Sequence, residues 1–164
     1  MKNEKAVFPG SFDPITLGHI DIINQGLKLF KTIVIGIGIN ESKDYMFHID
    51  HRKDFINSIF KNNKRIVIKK YAGLTVDFCQ KEKANYIIRG LRNTIDVEYE
   101  KTISLANHEL NQNVNTIFFP AKKEHIFISS SIVREIILNK GDLMKNLKYF
   151  VPTTIISKIE NQSS

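Results

Sequence analysis

Five short runs rich in β-branched residues recur along the chain, and helical patterns fill the gaps between them. The runs are residues 6–8, 32–39, 66–70, 86–89 and 116–119. Val34-Ile35-Gly36-Ile37-Gly38-Ile39 is apolar without interruption, as strands covered on both faces are. Ile20, Ile23, Leu27 and Phe30 follow helical spacing, as do Phe55 with Ile59, and Val76 and Cys79 with Lys83. A fourth helix is expected with Thr94 as its N-cap and Asp96 in the first turn, running through Val97, Ile103, Leu105 and Ala106 to about Leu110. A last pair of helices is expected after residues 129–131 and after Pro152. Strands alternating with helices predict an α/β fold: a parallel sheet wrapped on both faces through right-handed crossovers.

At 164 residues the chain fits one domain, taken as 1–160, with 161–164 as a frayed tail. Its hydrophobic content of 42% and charged content of 25% are ordinary for a soluble globular protein. Met-Lys-Asn-Glu-Lys at the start is not followed by the apolar core of a signal peptide, and no run is long enough to span a bilayer. One cysteine, Cys79, cannot form an internal disulfide and reads as a buried small side chain. A cytoplasmic protein with no membrane contact is expected. The net charge of +7 attracts phosphates, but the lysines are scattered and no basic run interleaves with aromatics. A nucleic-acid-binding module is the rival reading, and it predicts steeply salt-dependent oligonucleotide binding. The expected protein has no nucleic-acid partner.

The architecture expected is a single-domain, Rossmann-like doubly wound sheet of five parallel strands in the order 3-2-1-4-5, with helices at the C-terminal end. In such sheets ligands bind beyond the carboxyl ends of the strands, where the strand order reverses. Here that point lies between the first and fourth strands. Their ends, Pro9-Gly10-Ser11 and Arg89-Gly90-Leu91-Arg92, would then face one cleft.

Thr16-Leu17-Gly18-His19 opens the first helix directly after a strand and the turn Pro9-Gly10-Ser11-Phe12-Asp13-Pro14. Gly18 lets a ligand approach the backbone, and His19 stands at the positive end of the helix, where a phosphate is favoured. A neutral imidazole there still donates a hydrogen bond. A histidine that merely caps the helix is the plainer alternative. Two arginines flank a glycine in Arg89-Gly90-Leu91-Arg92, suited to bidentate phosphate contact. Ser129-Ser130-Ser131 opens another helix, where hydroxyls and free amides cradle polyphosphates. No P-loop motif occurs, and Gly36-Ile37-Gly38 lacks the third glycine of a dinucleotide fingerprint, so these glycines read as packing residues. His48 and His51 lack a nearby third ligand and read as helix-start residues. His108 reads as a helix-face residue.

The stretch Ser11–His19 resembles the signature of the T/HxGH nucleotidyltransferase superfamily, with Thr16 where many members carry the first histidine. Ser42-Lys43 with Met46-Phe47, Ile88 to Arg92, Asp96 with Glu98-Tyr99-Glu100, and Phe127 to Glu135 resemble the bacterial phosphopantetheine adenylyltransferases in order and spacing. The resemblance implies transfer of AMP from ATP to 4′-phosphopantetheine, giving dephospho-coenzyme A and pyrophosphate, the penultimate step of coenzyme A biosynthesis. It implies Mg²⁺ with ATP, held mainly by substrate oxygens and by no protein metal site, and a homohexamer. It implies catalytic roles for His19, Lys43 and Arg92. Phosphopantetheine would contact Ser11, Lys43, Thr75 and Arg89. ATP would contact Ser11, Phe12, His19, Gly90, Leu91, Arg92, Glu100, His125, Ile126, Phe127, Ile128, Ser129, Ser130 and Ser131. His125 stands where many relatives carry tryptophan. Another adenylyl- or cytidylyltransferase of the superfamily, acting on a different phosphate, is the close rival.

Overall fold

A computed structural model describes residues 4–139 and 142–163. Five parallel strands form one sheet in the order β3-β2-β1-β4-β5. They are β1 (Lys5–Gly10), β2 (Thr32–Ile39), β3 (Ile66–Ala72), β4 (Tyr86–Leu91) and β5 (Asn115–Pro120). The expected order is the observed one. Four strands run further than the apolar runs suggested. β1 continues through Pro9 and Gly10, and β5 ends on Pro120, although both residue types read as breakers. Strand ends tolerate a missing amide, and Pro9 still holds register with Gly36.

Alternation along the strands loads both faces. Ala6, Phe8, Ile33, Ile35 and Ile37 enter one core, together with Ile23, Phe55 and Ile156. Val7, Val34 and Ile87 enter the other, with Val76, Phe78 and Cys79. The first core is packed by α1 (Leu17–Leu29), α2 (Ile49–Phe60) and α7 (Thr153–Ser163), the second by α3 (Thr75–Glu82). Cys79 is fully buried, and burial pushes its thiol up to about 12. Gly36 is a packing residue as expected, since a Cβ there would sit 2.6 Å from the Phe78 ring. Gly38 is not, because a Cβ there would make only ordinary contacts.

Several helix ends differ from expectation. The N-cap of α4 (Thr94–Leu110) is Asn93, whose side-chain oxygen accepts from the Asp96 amide at 2.9 Å. Thr94 is the first helical residue instead, since an extended Asn cap reaches the N3 amide. Phe30 and Lys83 close α1 and α3 as C-caps, Lys83 with φ at 53°. His48 caps α2 and His51 lies in its first turn. His108 lies on α4, its Nδ1 3.4 Å from the Val114 carbonyl. Three C-terminal helices follow rather than two: α5 (Ser130–Leu138), a five-residue α6 (Leu143–Leu147) and α7. The extra one is a short turn capped by Asp142 through the Lys145 amide, too short for a periodic signal. The expected tail, 161–164, overlaps the end of α7, and its last residue lies outside the described residues.

A buried polar knot fixes the loop after β1. The Asp13 carboxylate accepts from the Met46 and Phe47 amides, both at 2.9 Å. Arg52 is buried and donates to the carbonyls of Ser11 and Phe47 at 2.7 and 3.1 Å, its guanidinium 3.9 Å from the centre of the Tyr45 ring. Replacing Asp13 with Ala strands two amides and removes the buried carboxylate that lies 3.8 Å from Arg134. Urea unfolding should report a loss of about 2–4 kcal/mol. An unchanged midpoint would remove Asp13 from this role.

Candidate active site

The two central strands pair only through Ala6↔Tyr86 and Val7↔Ile87, and then part. β1 stays in register with β2 out to Gly10↔Ile37. The gap that opens between β1 and β4 is the switch point of the sheet. Arg89 bridges it, donating from Nη1 to the Pro9 carbonyl at 2.9 Å. Around the gap the loops at the carboxyl end of the sheet enclose a cleft of about 660 Å³, the size of a small-ligand site. Gly90 at its floor tolerates no side chain, since a Cβ would meet Ile22 at 2.8 Å.

The His19 ring borders this cleft. Thr16 and His19 form a reciprocal cap on α1. The His19 amide donates to Thr16 Oγ1 at 3.4 Å, and the Thr16 amide donates to His19 Nδ1 at 3.1 Å. Histidine thus takes the place that Glu or Gln holds in the usual capping box. An Nδ1 that accepts from an amide carries no proton, so a neutral ring carries its hydrogen on Nε2. That atom has no protein partner among the described residues. Burial, with Arg92 and Arg89 nearby, lowers the pKa of His19 to about 4. At neutral pH the ring is therefore an uncharged Nε2–H donor. The capping role and the ligand-facing role belong to opposite sides of one ring. Phe12 packs edge-on against that ring at 5.1 Å between centroids, its backbone φ of 50° turning it back over Gly10.

Lys43, Arg89, Arg92 and Arg134 line the same cleft. Lys43, from the loop after β2, donates from Nζ to Ser11 Oγ at 3.2 Å, which joins the loops following β1 and β2. Arg89 pairs bidentately with Glu100, with Nε at 2.7 Å from Oε2. Arg92 pairs with Asp96 through Nε at 2.8 Å and Nη2 at 3.1 Å. Burial raises the Asp96 carboxyl, but the bonds from Arg92 outweigh it and hold the group below its ordinary pKa. Arg134 donates to the Asp13 carbonyl at 2.8 Å and to Ser131 Oγ at 3.2 Å.

Each serine of the α5 loop has its own task. Ser129 caps the Ile132 amide at 3.2 Å, Ser130 donates to the Pro14 carbonyl at 2.8 Å, and Ser131 accepts from Arg134. What the helix leaves open are the first amides of α5, the groups a helix N-terminus cannot bond internally. His125, on a 3₁₀ turn (Lys123–His125), lines the same cleft. Its Nδ1 is buried without a hydrogen bond, 3.7 Å from a carboxylate oxygen of Asp21. Asp21 is itself buried and paired with Lys122 at 2.9 Å. Burial raises its carboxyl, and the bonds from Lys122 and Gln25 more than reverse this.

Of the residues singled out by sequence, Ser11, Phe12, His19, Lys43, Thr75, Arg89, Gly90, Arg92, Glu100, His125, Ile128 and the three serines line the cleft. Leu91, Ile126 and Phe127 are not among the lining residues. Leu91 spends its carbonyl on the Ala121 amide, and the exposed Phe127 packs its ring on Phe150. The sequence reading passed over Tyr45, Tyr71, Asn107 and Arg134, which also line the cleft. Asn107 was within reach, because Glu100, Ile103, Ser104 and Asn107 share one helical face. Tyr71, whose hydroxyl lies 3.1 Å from Thr75 Oγ1, gave no such signal.

Residues 7–136 match the cytidylyltransferase-like family, which makes the protein a nucleotidyltransferase by class. The fold agrees with that of a nicotinic acid mononucleotide adenylyltransferase from Plasmodium falciparum solved with NaAD. The TM-score is 0.74 at 18% identity, over 98% of this chain and 96% of that one. More similar in sequence is a phosphopantetheine adenylyltransferase of Flavobacterium johnsoniae, 49% identical over 138 residues, or 84% of this chain and 90% of the relative. Another, from Christiangramia forsetii, is 43% identical over 94% of this chain and 99% of its own length. The chain belongs to the phosphopantetheine adenylyltransferase family.

The depressed pKa of His19 has a measurable consequence. As pH falls, the unfolded chain takes up a proton near 6.5, while the folded ring resists to about 4. Folding stability is therefore lost through that window. Between pH 7 and 4 the wild type should lose up to about 3 kcal/mol more than His19→Gln, which keeps the cap. Equal losses in denaturant unfolding would show that the ring is not shifted.

Proposed function

We propose that this enzyme transfers the adenylyl group of ATP to 4′-phosphopantetheine, releasing pyrophosphate and forming dephospho-coenzyme A. The observation that carries the reading is the neutral His19 ring, locked by Thr16 with its donor side on a cleft lined by Lys43, Arg89 and Arg92. The attacking group is a phosphate, already an anion. It needs no general base, and the residues around the cleft offer positioning and charge rather than a covalent route. A phosphate oxygen of the acceptor forms a bond to the α-phosphorus of ATP as the bond to the pyrophosphate oxygen breaks. His19 Nε2–H donates to the α-phosphate, where charge builds in the transition state. Lys43, Arg89 and Ser11 hold the acceptor phosphate. Arg92, Phe12 and the amides that open α5 hold ATP and the departing pyrophosphate. Thr75, on the first turn of α3, contacts the pantetheine arm, and His125 lies at the nucleotide end.

Magnesium enters with ATP as part of the substrate. Asp96 and the cleft-lining Glu100 are engaged by arginines, so phosphate oxygens and water supply the ligands such an ion prefers. We further propose a homohexamer in the cytoplasm. The hexamer rests on family likeness, and α4 supports association by leaving Ile95, Leu105 and Leu110 exposed, an apolar flank of the kind that partner surfaces cover. Among the described residues no helix is long and apolar enough to cross a membrane.

Pyrophosphate release should require ATP, Mg²⁺ and phosphopantetheine, with nicotinate mononucleotide and glycerol phosphate as inactive acceptors. Turnover with either of those instead would reassign the acceptor. His19→Gln should keep the fold and lower kcat roughly 100- to 1000-fold, the usual effect of losing one transition-state donor. Near-normal turnover would take His19 out of the mechanism.

A further inference from the structure

Asp96 and Glu100 lie one turn apart on α4, each side-on to one arginine, and Glu100 and both arginines line the cleft. Glu100 takes the Nε and Nη2 edge of Arg89, and the Pro9 carbonyl takes Nη1. Asp96 takes the same edge of Arg92, and the Ile128 carbonyl takes Nη1 at 3.3 Å. A guanidinium has five N–H donors in a rigid plane. Three are spent in each case. Two remain, one on each terminal nitrogen, and these are the donors that face away from the carboxylate. The carboxylates are fastened in turn. Asp96 Oδ2 also accepts from the Arg92 amide at 3.0 Å, and Glu100 is only 8% exposed.

We infer that Asp96 and Glu100 are positioning residues of the reaction, each aiming one guanidinium so that its unspent donors meet a phosphate. Glu100 acts through Arg89 on the acceptor, and Asp96 acts through Arg92 on the pyrophosphate end of ATP. This rests on the proposed function, and it departs from the expectation that Glu100 contacts ATP directly. Both Glu100 oxygens are already engaged by Arg89. A pair that aims a cation also lowers its long-range pull on anions, so discrimination comes from fork geometry rather than from bulk charge. The two pairs make separable predictions because each arginine serves a different substrate.

The test is a double-mutant cycle read by pyrophosphate release, with KM measured for each substrate and folding checked by thermal melts. Glu100→Gln should cut kcat/KM for phosphopantetheine roughly tenfold or more and leave the ATP KM within about twofold. Asp96→Asn should do the reverse. In an Arg89→Ala background, adding Glu100→Ala should change nothing further, and likewise Asp96→Ala on Arg92→Ala. A raised ATP KM in Glu100→Gln, or a further loss in the double variant, would overturn the assignment. Should a single variant fail to fold, the comparison of Arg89→Ala/Glu100→Gln with Arg89→Ala/Glu100→Ala still decides it, because neither leaves a charge unpaired and unequal turnover of the two would overturn the assignment. Absence of wild-type turnover would refute the proposed function instead. The Arg92–Asp96 pairing would then be read from calorimetric binding of inorganic pyrophosphate, weakened by Asp96→Asn if the inference holds and unmoved if it does not.

Discussion

The parting of β1 from β4 is the constraint on which the site depends. Two residue pairs hold these strands together, and beyond Val7 no ladder joins them. A parallel sheet normally spends its backbone groups on its neighbours. Here the carbonyl of Pro9 is left for a side chain, and Arg89 takes it. The residue that closes the gap is thereby fixed at the floor of the cleft that the gap creates. Pro9 itself has no amide to leave unpaired at that edge. The two loops that carry most of the chemistry meet because the strands that deliver them diverge.

One ring serves both fold and chemistry. Thr16 and His19 complete the start of α1, and the same bond that caps the helix decides which nitrogen carries the proton. Burial and the two arginines then keep the ring uncharged. An imidazolium among those guanidiniums would repel them, whereas a neutral donor adds a directed hydrogen bond without adding charge. Gly18 beside it is under no steric demand from the protein, since a Cβ there would make contacts no closer than 3.6 Å. Its smallness matters to the space in the cleft.

Much of this was legible in the sequence. The alternation of strand and helix patterns gave the parallel sheet, because strands buried on both faces are written as apolar runs, and the reversal point followed once the doubly wound order 3-2-1-4-5 was assumed. His19, the two arginines and the serine loop could be found because each follows a strand or opens a helix, whereas Lys43 acquired a role only through the family resemblance. What escaped notice were partnerships. Nothing in residues 89–100 says that Glu100 engages Arg89 rather than solvent, because that depends on the angle at which α4 leaves β4. The serines read as a polyphosphate cradle, and their three separate partners, which no local pattern shows, occupy the hydroxyls. Thr94 reads as the cap in the sequence, while the backbone puts the extended capping residue one earlier, at Asn93. Arg134 reaches the cleft through contacts with Asp13 and Ser131, neither of which local pattern could foretell.

The sealed sulfhydryl of Cys79 has a practical reach. A thiol whose ionisation is pushed up to about 12 and which touches no solvent is inert to alkylating and oxidising reagents at ordinary pH. The native molecule is in effect silent toward maleimides. A single cysteine placed at the rim of the cleft would therefore carry a fluorophore or spin label alone, with no background to remove, and would report the arrival of each substrate from one known position.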